Sequence, residues 1–331
     1  MSGTADLWVS SAPLRISLAG GGTDLPAYAR RFGGTVLGAS VDLRVTVFGR
    51  RARTATVIRA CLDSCGSADS VDGIANPYAR EALKRYWDGS PLDLFSAGDV
   101  PGGSGMGSSA AFCVALVAGL SAKERSPHDL AMAASGIEMD GLGRPVGRQD
   151  HFLSALGGFR QLHFATDGRV AVEDVPVADD VVRRLDEELV LHFTGTSRDA
   201  GAVLGDQARA AGSGERGTEA RLHEIKELTG PLREALTRGD STEVGRILGR
   251  HWELKRGLGA RVSLPGVDRA YRDALAAGAT GGKLLGAGGG GFLLLHVPAA
   301  AREGVRAAMA AHSMPEQSFR FDPAGARLSR L

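Results

Sequence analysis

Residues 101–111 read PGGSGMGSSAA, with Gly102, Gly103, Gly105 and Gly107 inside six positions and Ser108-Ser109 directly after them. The interval from Gly102 to Gly107 is that of a nucleotide phosphate loop, but such a loop carries lysine where Ser108 stands. The backbone must then supply the chemistry. A glycine loop that opens into a helix offers bare N–H groups and the positive end of the helix dipole, and together these hold phosphate without an ammonium group. Gly102, Gly103, Ser104, Gly105, Met106, Gly107, Ser108 and Ser109 are therefore expected to bind phosphate, with a serine hydroxyl reaching a phosphate oxygen or its metal. The plainer alternative is that Ser108 or Ser109 only caps a buried helix. A cap alone does not need so many glycines.

A second glycine run, GAGGGG at 286–291, satisfies G-x-G-x-x-G. A dinucleotide site needs a strand before and a helix after that pattern. Here the strand-like FLLLHV follows, so the run is expected to be a tight turn that approaches a ligand closely, with Gly288 and Gly289 at the contact. Transfer of a phosphoryl group asks mainly for positioning and charge neutralisation, plus a group near the attacking hydroxyl that can take its proton. Asp150, in GRQDHF, is a candidate, but by its residues alone an aspartate ahead of HFLSALGG reads first as a helix N-cap. Arg15, on the polar side of a strand, is its natural partner, to orient the carboxylate and neutralise developing charge; a surface ion pair is the alternative. His151, His163, His192 and His251 show no ligand spacing, and no metal is assigned to them.

The elements that must carry these residues follow from periodicity. LRISLA alternates, with Leu14, Ile16 and Leu18 on one face and Arg15 and Ser17 on the other, which predicts a strand whose second face looks into something polar. VDLRVTVF (41–48) alternates again. NPYAREALKRYW reads as a helix, and AAFCVALVAGLSA, apolar all round, as a buried one. In SPHDLAMAASGIEM, Ser126 is the expected N-cap, Pro127 the first helical residue, and Leu130, Ala134 and Ile137 the apolar stripe. Residues 157–164, 188–193 and 292–297 read as strands. Residues 199–211, 217–238 and 241–258 read as amphipathic helices, and GVDRAYRDALAAG as a helix stopped by Gly278. A last helix and strand follow. Strands dominate the first half and helices the second, which predicts an α+β protein in two lobes with a boundary near 165–195.

Composition narrows the classes. The 331 residues include 39 basic and 38 acidic ones, for a formal charge of +1. Nucleic-acid binding, which wants a strongly basic surface, is not expected. The longest apolar run, near 110–120, falls short of the ~20 residues of a membrane span. No leader peptide is visible at the N-terminus, and the expectation is a soluble cytoplasmic protein. Cys61, Cys65 and Cys113 are too few for a disulfide framework and are expected as free thiols.

PGGSGMGSSAA resembles the P-x-x-x-G-L-G-S-S-A-A signature of the GHMP small-molecule kinases, with Met106 standing for leucine. APLRISLAGGGTDLP resembles the first motif of that family and GGKLLGAGGGGF the third, all in the family's order across residues 12–292. GGGTDLP, GRQDHFLSALGGF, TGTSRDAG and WELKRGL are similar to the branch acting on D-glycero-D-manno-heptose 7-phosphate. The resemblance implies an N-terminal mixed α/β lobe carrying the phosphate loop, residues 1–187, and a ferredoxin-like α+β lobe, residues 188–331. It implies ATP and Mg2+, with Asp150 and Arg15 catalytic and Ser109 and Glu138 holding the metal. Glu138 as a solvated helix-end residue is the alternative. Thr23 and Asp24 would meet sugar hydroxyls, unless Asp24 only caps a turn. An acceptor that already carries phosphate needs a second cationic site, for which Arg198, Lys255, Arg256 and Lys283 are candidates, each with an ordinary surface-charge alternative.

The implied activity is phosphorylation of the anomeric hydroxyl of heptose 7-phosphate, giving the 1,7-bisphosphate for nucleotide-activated heptose synthesis. A fucokinase- or galactokinase-like sugar 1-kinase is the runner-up. A non-catalytic sugar- and ATP-sensing protein on the same fold is disfavoured by the presence of Arg15, Asp150 and Glu138 together. A decarboxylase of that fold is disfavoured by the sugar-type GGGTD motif. The partners implied are ATP and a small sugar phosphate, with no nucleic acid and no membrane; the oligomeric state is open, a homodimer included.

Overall fold

The computed structural model of the chain describes residues 7–52, 57–196, 205, 209 and 216–331. Its larger sheet is built on β1 (Leu7–Ala19) and β2 (Gly34–Arg51). Leu14, Ile16 and Leu18 of β1 are almost wholly buried in the core, as the alternation predicts. Arg15 and Ser17 on the opposite side are only 4 % and 6 % exposed, because that side forms the wall of a cavity. β2 serves two neighbours: residues 34–39 pair with β6 (Phe159–Phe164), and residues 45–51 pair with β5 (Leu92–Gly98). The β1–β2 register shifts between Pro13 and Arg15, leaving Val41 to Leu43 without partners on β1. Such an irregularity bends the pair and re-aims side chains, and here it lies directly at Arg15.

The sheet runs β12-β1-β2-β5-β3-β4, with β6 and then β7 branching from β2; the further strands are β3 (Ile58–Cys61), β4 (Cys65–Ala68), β7 (Val170–Asp174) and β12 (Arg327–Arg330). Helix α1 (Pro26–Phe32) follows the GGGTD turn, and α2 (Pro77–Tyr86) is capped by the Asn76 side chain, which accepts from the Ala79 N–H. α3 (Ser108–Leu120) packs against β1 and β2 and has the all-round burial its sequence predicts. α4 (Pro127–Gly136) starts as expected, with Ser126 Oγ accepting from the Asp129 N–H. It passes into a π-helical turn, Ile137–Gly141, and α5 spans Gln149–Leu156.

The smaller sheet is antiparallel, in the order β11-β8-β10-β9, from β8 (Leu189–Phe193), β9 (Gly281–Leu284), β10 (Phe292–His296) and β11 (Glu316–Gln317). Around it lie α6 (Asp179–Glu188), α7 (Arg216–Glu227), α8 (Thr229–Arg238), α9 (Ser241–Arg256), α10 (Pro265–Ala276) and α11 (Arg302–Ala311). The architecture is the two-lobed α+β one expected. We propose the lobe boundary at 187/188, where β8 opens the second sheet; the chain end nevertheless returns, and β12 pairs with β1.

Two local expectations are corrected. The helix read across 217–238 is two, broken at Leu228, because Pro231 has no N–H to bond back and its ring crowds the carbonyl four residues earlier. Cys61 and Cys65 are joined in a disulfide rather than free; they face each other across the β3–β4 hairpin, with Cα atoms 3.9 Å apart, and Cys113 is a buried free thiol. The helix expected over 199–211 lies mostly outside the described residues. No helix among the described residues is long and apolar enough to cross a membrane.

Helix α9 is drawn tightly onto β9. A Cβ on Gly281 would stand 2.0 Å from the Gly245 carbonyl oxygen. This approach sets the C-terminal turn of α9, with His251 and Lys255, above Lys283 of β9. Gly281→Ala must push the helix away and is expected to cost about 1–3 kcal/mol, as overpacking does; an unchanged urea midpoint would show that this contact does not hold the two elements together.

Candidate active site

A cavity of about 630 Å³ opens between the two sheets. The glycine loop 101–107 and the start of α3 form one wall. Gly107 is the N-cap of α3, in the left-handed conformation at φ 76°, and neither Ser108 nor Ser109 makes a side-chain cap. The serines are thus free of the capping duty that was the plainer explanation for them, and both line the cavity with Gly102, Gly103, Gly105 and Gly107. Ser104 and Met106 are turned away: both are wholly buried and neither lines the cavity. Ser104 instead accepts the Phe292 N–H at its carbonyl, at 3.0 Å. The loop is pressed onto the β9–β10 turn so closely that a Cβ on Gly105 would stand 2.8 Å from the Leu285 carbonyl oxygen.

Arg15 holds this corner together. Its Nε donates to Asp150 Oδ1 at 2.7 Å and its Nη2 to Oδ2 at 2.5 Å, while Nη1 donates to the Gly105 carbonyl at 2.7 Å. Asp150 is therefore not the N-cap of α5. It sits in the first turn with a quarter of its side chain open to the cavity. The first N–H of α5 is taken from outside the helix: Gln149 N donates to Asp24 Oδ2 at 3.1 Å, and Gln149 Nε2 donates to Asp24 Oδ1 at 2.7 Å. Burial, and next the charge of Asp150, push the Asp24 carboxyl up to about 6. Thr23 does not reach the cavity; its hydroxyl is buried and donates to the carbonyls of Gly20 and Thr35.

Glu138 is carried inward by the π turn, a feature that recurs at functional sites. It is 2 % exposed, on the cavity wall, with Oε2 at 2.8 Å from His151 Nε2. Lys255 and Lys283 are buried and line the cavity. Lys255 Nζ donates to the carbonyls of Leu284, at 3.0 Å, and Gly286; Lys283 Nζ donates to Ser17 O at 2.9 Å. Burial, then Arg15, lowers the Lys255 ammonium to about 7, and Lys283 is lowered by burial and by its cationic neighbours. Arg256 points elsewhere, to Asp268 at 3.2 Å on the surface. Gly288 lines the cavity, but Gly289 does not, and its N–H donates to Val262 O. Arg198 lies outside the described residues.

Several wall residues went unassigned in the sequence. Ser17 carried a signal, two positions from Arg15 on the same strand face, and His251 lies four residues before Lys255 on one helix face. Gln149 was visible only as a neighbour of Asp150. Leu62, Asp63, Asn76, Tyr78 and Phe112 also line the cavity, and nothing in their spacing marked them.

A glycine-lined helix mouth stands beside the Arg15–Asp150 fork in a cleft between two α+β lobes, an arrangement suited to phosphoryl transfer. The GHMP kinases N terminal domain matches residues 74–158, and the GHMP kinases C terminal domain matches residues 232–313. The chain is 29% identical, over 97% of its length and 98% of the relative's, to D-glycero-alpha-D-manno-heptose 7-phosphate kinase of Campylobacter jejuni. It is 30% identical to the mevalonate kinase of Aeropyrum pernix, over 78% of this chain and 75% of that one. Among solved structures, a D-glycero-D-manno-heptose 1-phosphate kinase from Bacteroides thetaiotaomicron is similar with a TM-score of 0.80 and 26% identity, over 98% and 99% of the two chains. The chain belongs to the GHMP kinases and is an ATP-dependent kinase.

The Asp24 carboxyl gives a pH test. Its folded value, about 6, lies above the unfolded 3.8, so the folded state holds the extra proton between them. The stability it contributes is present at low pH and falls as pH rises from about 4 to about 6. Asp24→Asn should remove that slope from thermal midpoints measured across the window; a slope identical to the parent protein's would assign it to other groups.

Proposed function

We propose that this kinase transfers the γ-phosphoryl group of ATP to the anomeric hydroxyl of a sugar, and that the acceptor is D-glycero-D-manno-heptose 7-phosphate, giving the 1,7-bisphosphate. The observation that carries the reading is the Arg15–Asp150 fork bound to the glycine loop through Gly105 O. It sets a carboxylate beside the place where main-chain amides receive a triphosphate. The acceptor identity rests on the heptose 7-phosphate kinase that the chain matches from end to end.

In this proposal Gly102, Gly103, Gly105, Gly107, Ser108 and Ser109 receive the phosphates with backbone N–H groups, hydroxyls and the α3 dipole. Each Asp150 oxygen accepts one Arg15 N–H and keeps a lone pair toward the cavity, where the acceptor hydroxyl can donate and then release its proton. Arg15 holds the carboxylate in place and offsets negative charge in the transition state. Asp24, fixed by Gln149, faces the sugar hydroxyls, and the Gly288 turn closes the opposite side. Ser109 and the buried Glu138 carboxylate are hard oxygen donors that both line the cavity, a set that suits Mg2+ completed by phosphate oxygens and water. Bound there, the ion would neutralise charge on the phosphates.

Asp150→Asn should leave binding of a non-hydrolysable ATP analogue intact and lower turnover at least ~100-fold, the scale of a lost general base. Turnover equal to the parent's would remove Asp150 from the chemistry. With ATP, magnesium and a panel of heptose 7-phosphate, fucose, galactose and mannose, phosphorus NMR should show an anomeric phosphate on the heptose. Reaction with galactose or fucose alone would replace the proposed acceptor.

A further inference from the structure

Leu62 and Asp63 line the cavity from a turn that carries its own covalent tie. They stand between β3 and β4, where the Cys61–Cys65 disulfide closes the turn. Cys65 is exposed and Cys61 half-buried. Exposed disulfides are the ones that exchange with thiols. A bridge across so short a loop removes little chain entropy from the unfolded state, so it is a poor staple for the protein as a whole. What it fixes is local.

The outer half of this hairpin has little else to hold it. β4 is the edge of the larger sheet and pairs there only with β3, and Cys65, Gly66 and Ser67 are all exposed. β3 is anchored: it pairs with β5, and Arg59 forks onto Asp93, with Nε donating to Oδ1 at 2.6 Å and Nη2 to Oδ2 at 2.8 Å. The disulfide ties the weakly supported strand to the fixed one.

From the turn, contacts run to the helix that opens from the glycine loop. Asn76 Nδ2 donates to Asp63 Oδ2 at 2.6 Å, and Asn76 Oδ1 accepts from the Ala79 N–H at 2.9 Å to cap α2. Tyr78 of α2 meets the Phe112 ring edge-on, with centroids 6.5 Å apart. Phe112 lies four residues after Ser108 on α3, and so on the same helix face as that serine. Asn76, Tyr78, Ser108 and Phe112 all line the cavity.

We propose that Cys61 and Cys65 form a thiol–disulfide exchange site that sets the affinity of the kinase for nucleotide. Closed, the bridge holds Leu62 and Asp63 in the cavity wall; opened, it releases the turn and loosens the contacts that lead to α3. The co-reactant is a dithiol. Its thiolate attacks one sulfur of the bridge, the S–S bond breaks, and a mixed disulfide forms. The second thiol of the reagent then displaces the remaining cysteine sulfur. Cys61 and Cys65 end as thiols, having gained two electrons and two protons, and the dithiol ends as a cyclic disulfide. The inference extends the kinase assignment and depends on no particular acceptor sugar.

The test compares the parent protein in its two states. Thiol titration in denaturant should find one thiol, Cys113, in protein kept with oxidised dithiothreitol, and all three cysteines after reduction by dithiothreitol. Calorimetric titration with magnesium and a non-hydrolysable ATP analogue should show binding at least about fivefold weaker in the reduced protein, the scale of a coupling between two sites. The thermal midpoint should move by no more than a few degrees. Cys61→Ser with Cys65→Ser should bind like the reduced parent and ignore dithiothreitol, while Cys113→Ala should keep the response. If the double variant does not fold, the parent's two states still decide. Three thiols in the oxidised sample, equal nucleotide affinity in both states, a response lost with Cys113, or weakening only where the whole protein unfolds would each overturn the proposal.

Discussion

The forked ion pair between Arg15 and Asp150 is the constraint on which the site depends. One guanidinium spends its donors on both oxygens of the carboxylate and on the Gly105 carbonyl, and so joins β1, α5 and the glycine loop. Arg15 and Asp150 are 135 positions apart. A lysine could supply the charge, but its ammonium lacks the planar fork that fixes the carboxylate in one orientation. With Arg15 only 4 % exposed, an unpaired partner on either side would be a buried charge without compensation.

The rest of the cavity repeats this pattern of local rigidity used to aim a polar group. Asp24 sits under the first N–H of α5 and is clamped by Gln149, so the segment that carries Asp150 is fixed at its first residue. The π turn at Ile137–Gly141 swings Glu138 off the helix stripe and into the wall. The β1–β2 register shift falls beside Arg15. Each departure from regular structure lies next to a residue that faces the cavity, where strain or irregularity can be compensated by contacts absent elsewhere.

Much of this was legible in the sequence because it depends on near neighbours. Alternation along LRISLA placed Arg15 and Ser17 opposite the core. Ser126 capped its helix as its type and position required, and the glycine loop led into α3. Misreadings arose where a distant partner decided the outcome. Asp150 had the sequence of a cap, but Arg15 claimed its carboxylate and Asp24 took over the cap. Thr23 looked like a ligand-facing residue beside Asp24, yet its hydroxyl is used by the carbonyls of Gly20 and Thr35. Cys61 and Cys65 looked like free thiols until the hairpin set them face to face.

What the sequence determined by itself, then, is most of the elements, the glycine loop and the family, since each is encoded in spacings of a few residues. The tertiary structure alone decided which charges converge. Lys255 and Arg256 are adjacent in the chain, but one faces the cavity and the other faces Asp268, because consecutive residues on a helix point about 100° apart. Which of those directions meets a ligand depends on how α9 docks on β9, and that is fixed by close backbone packing at Gly281 rather than by any local pattern.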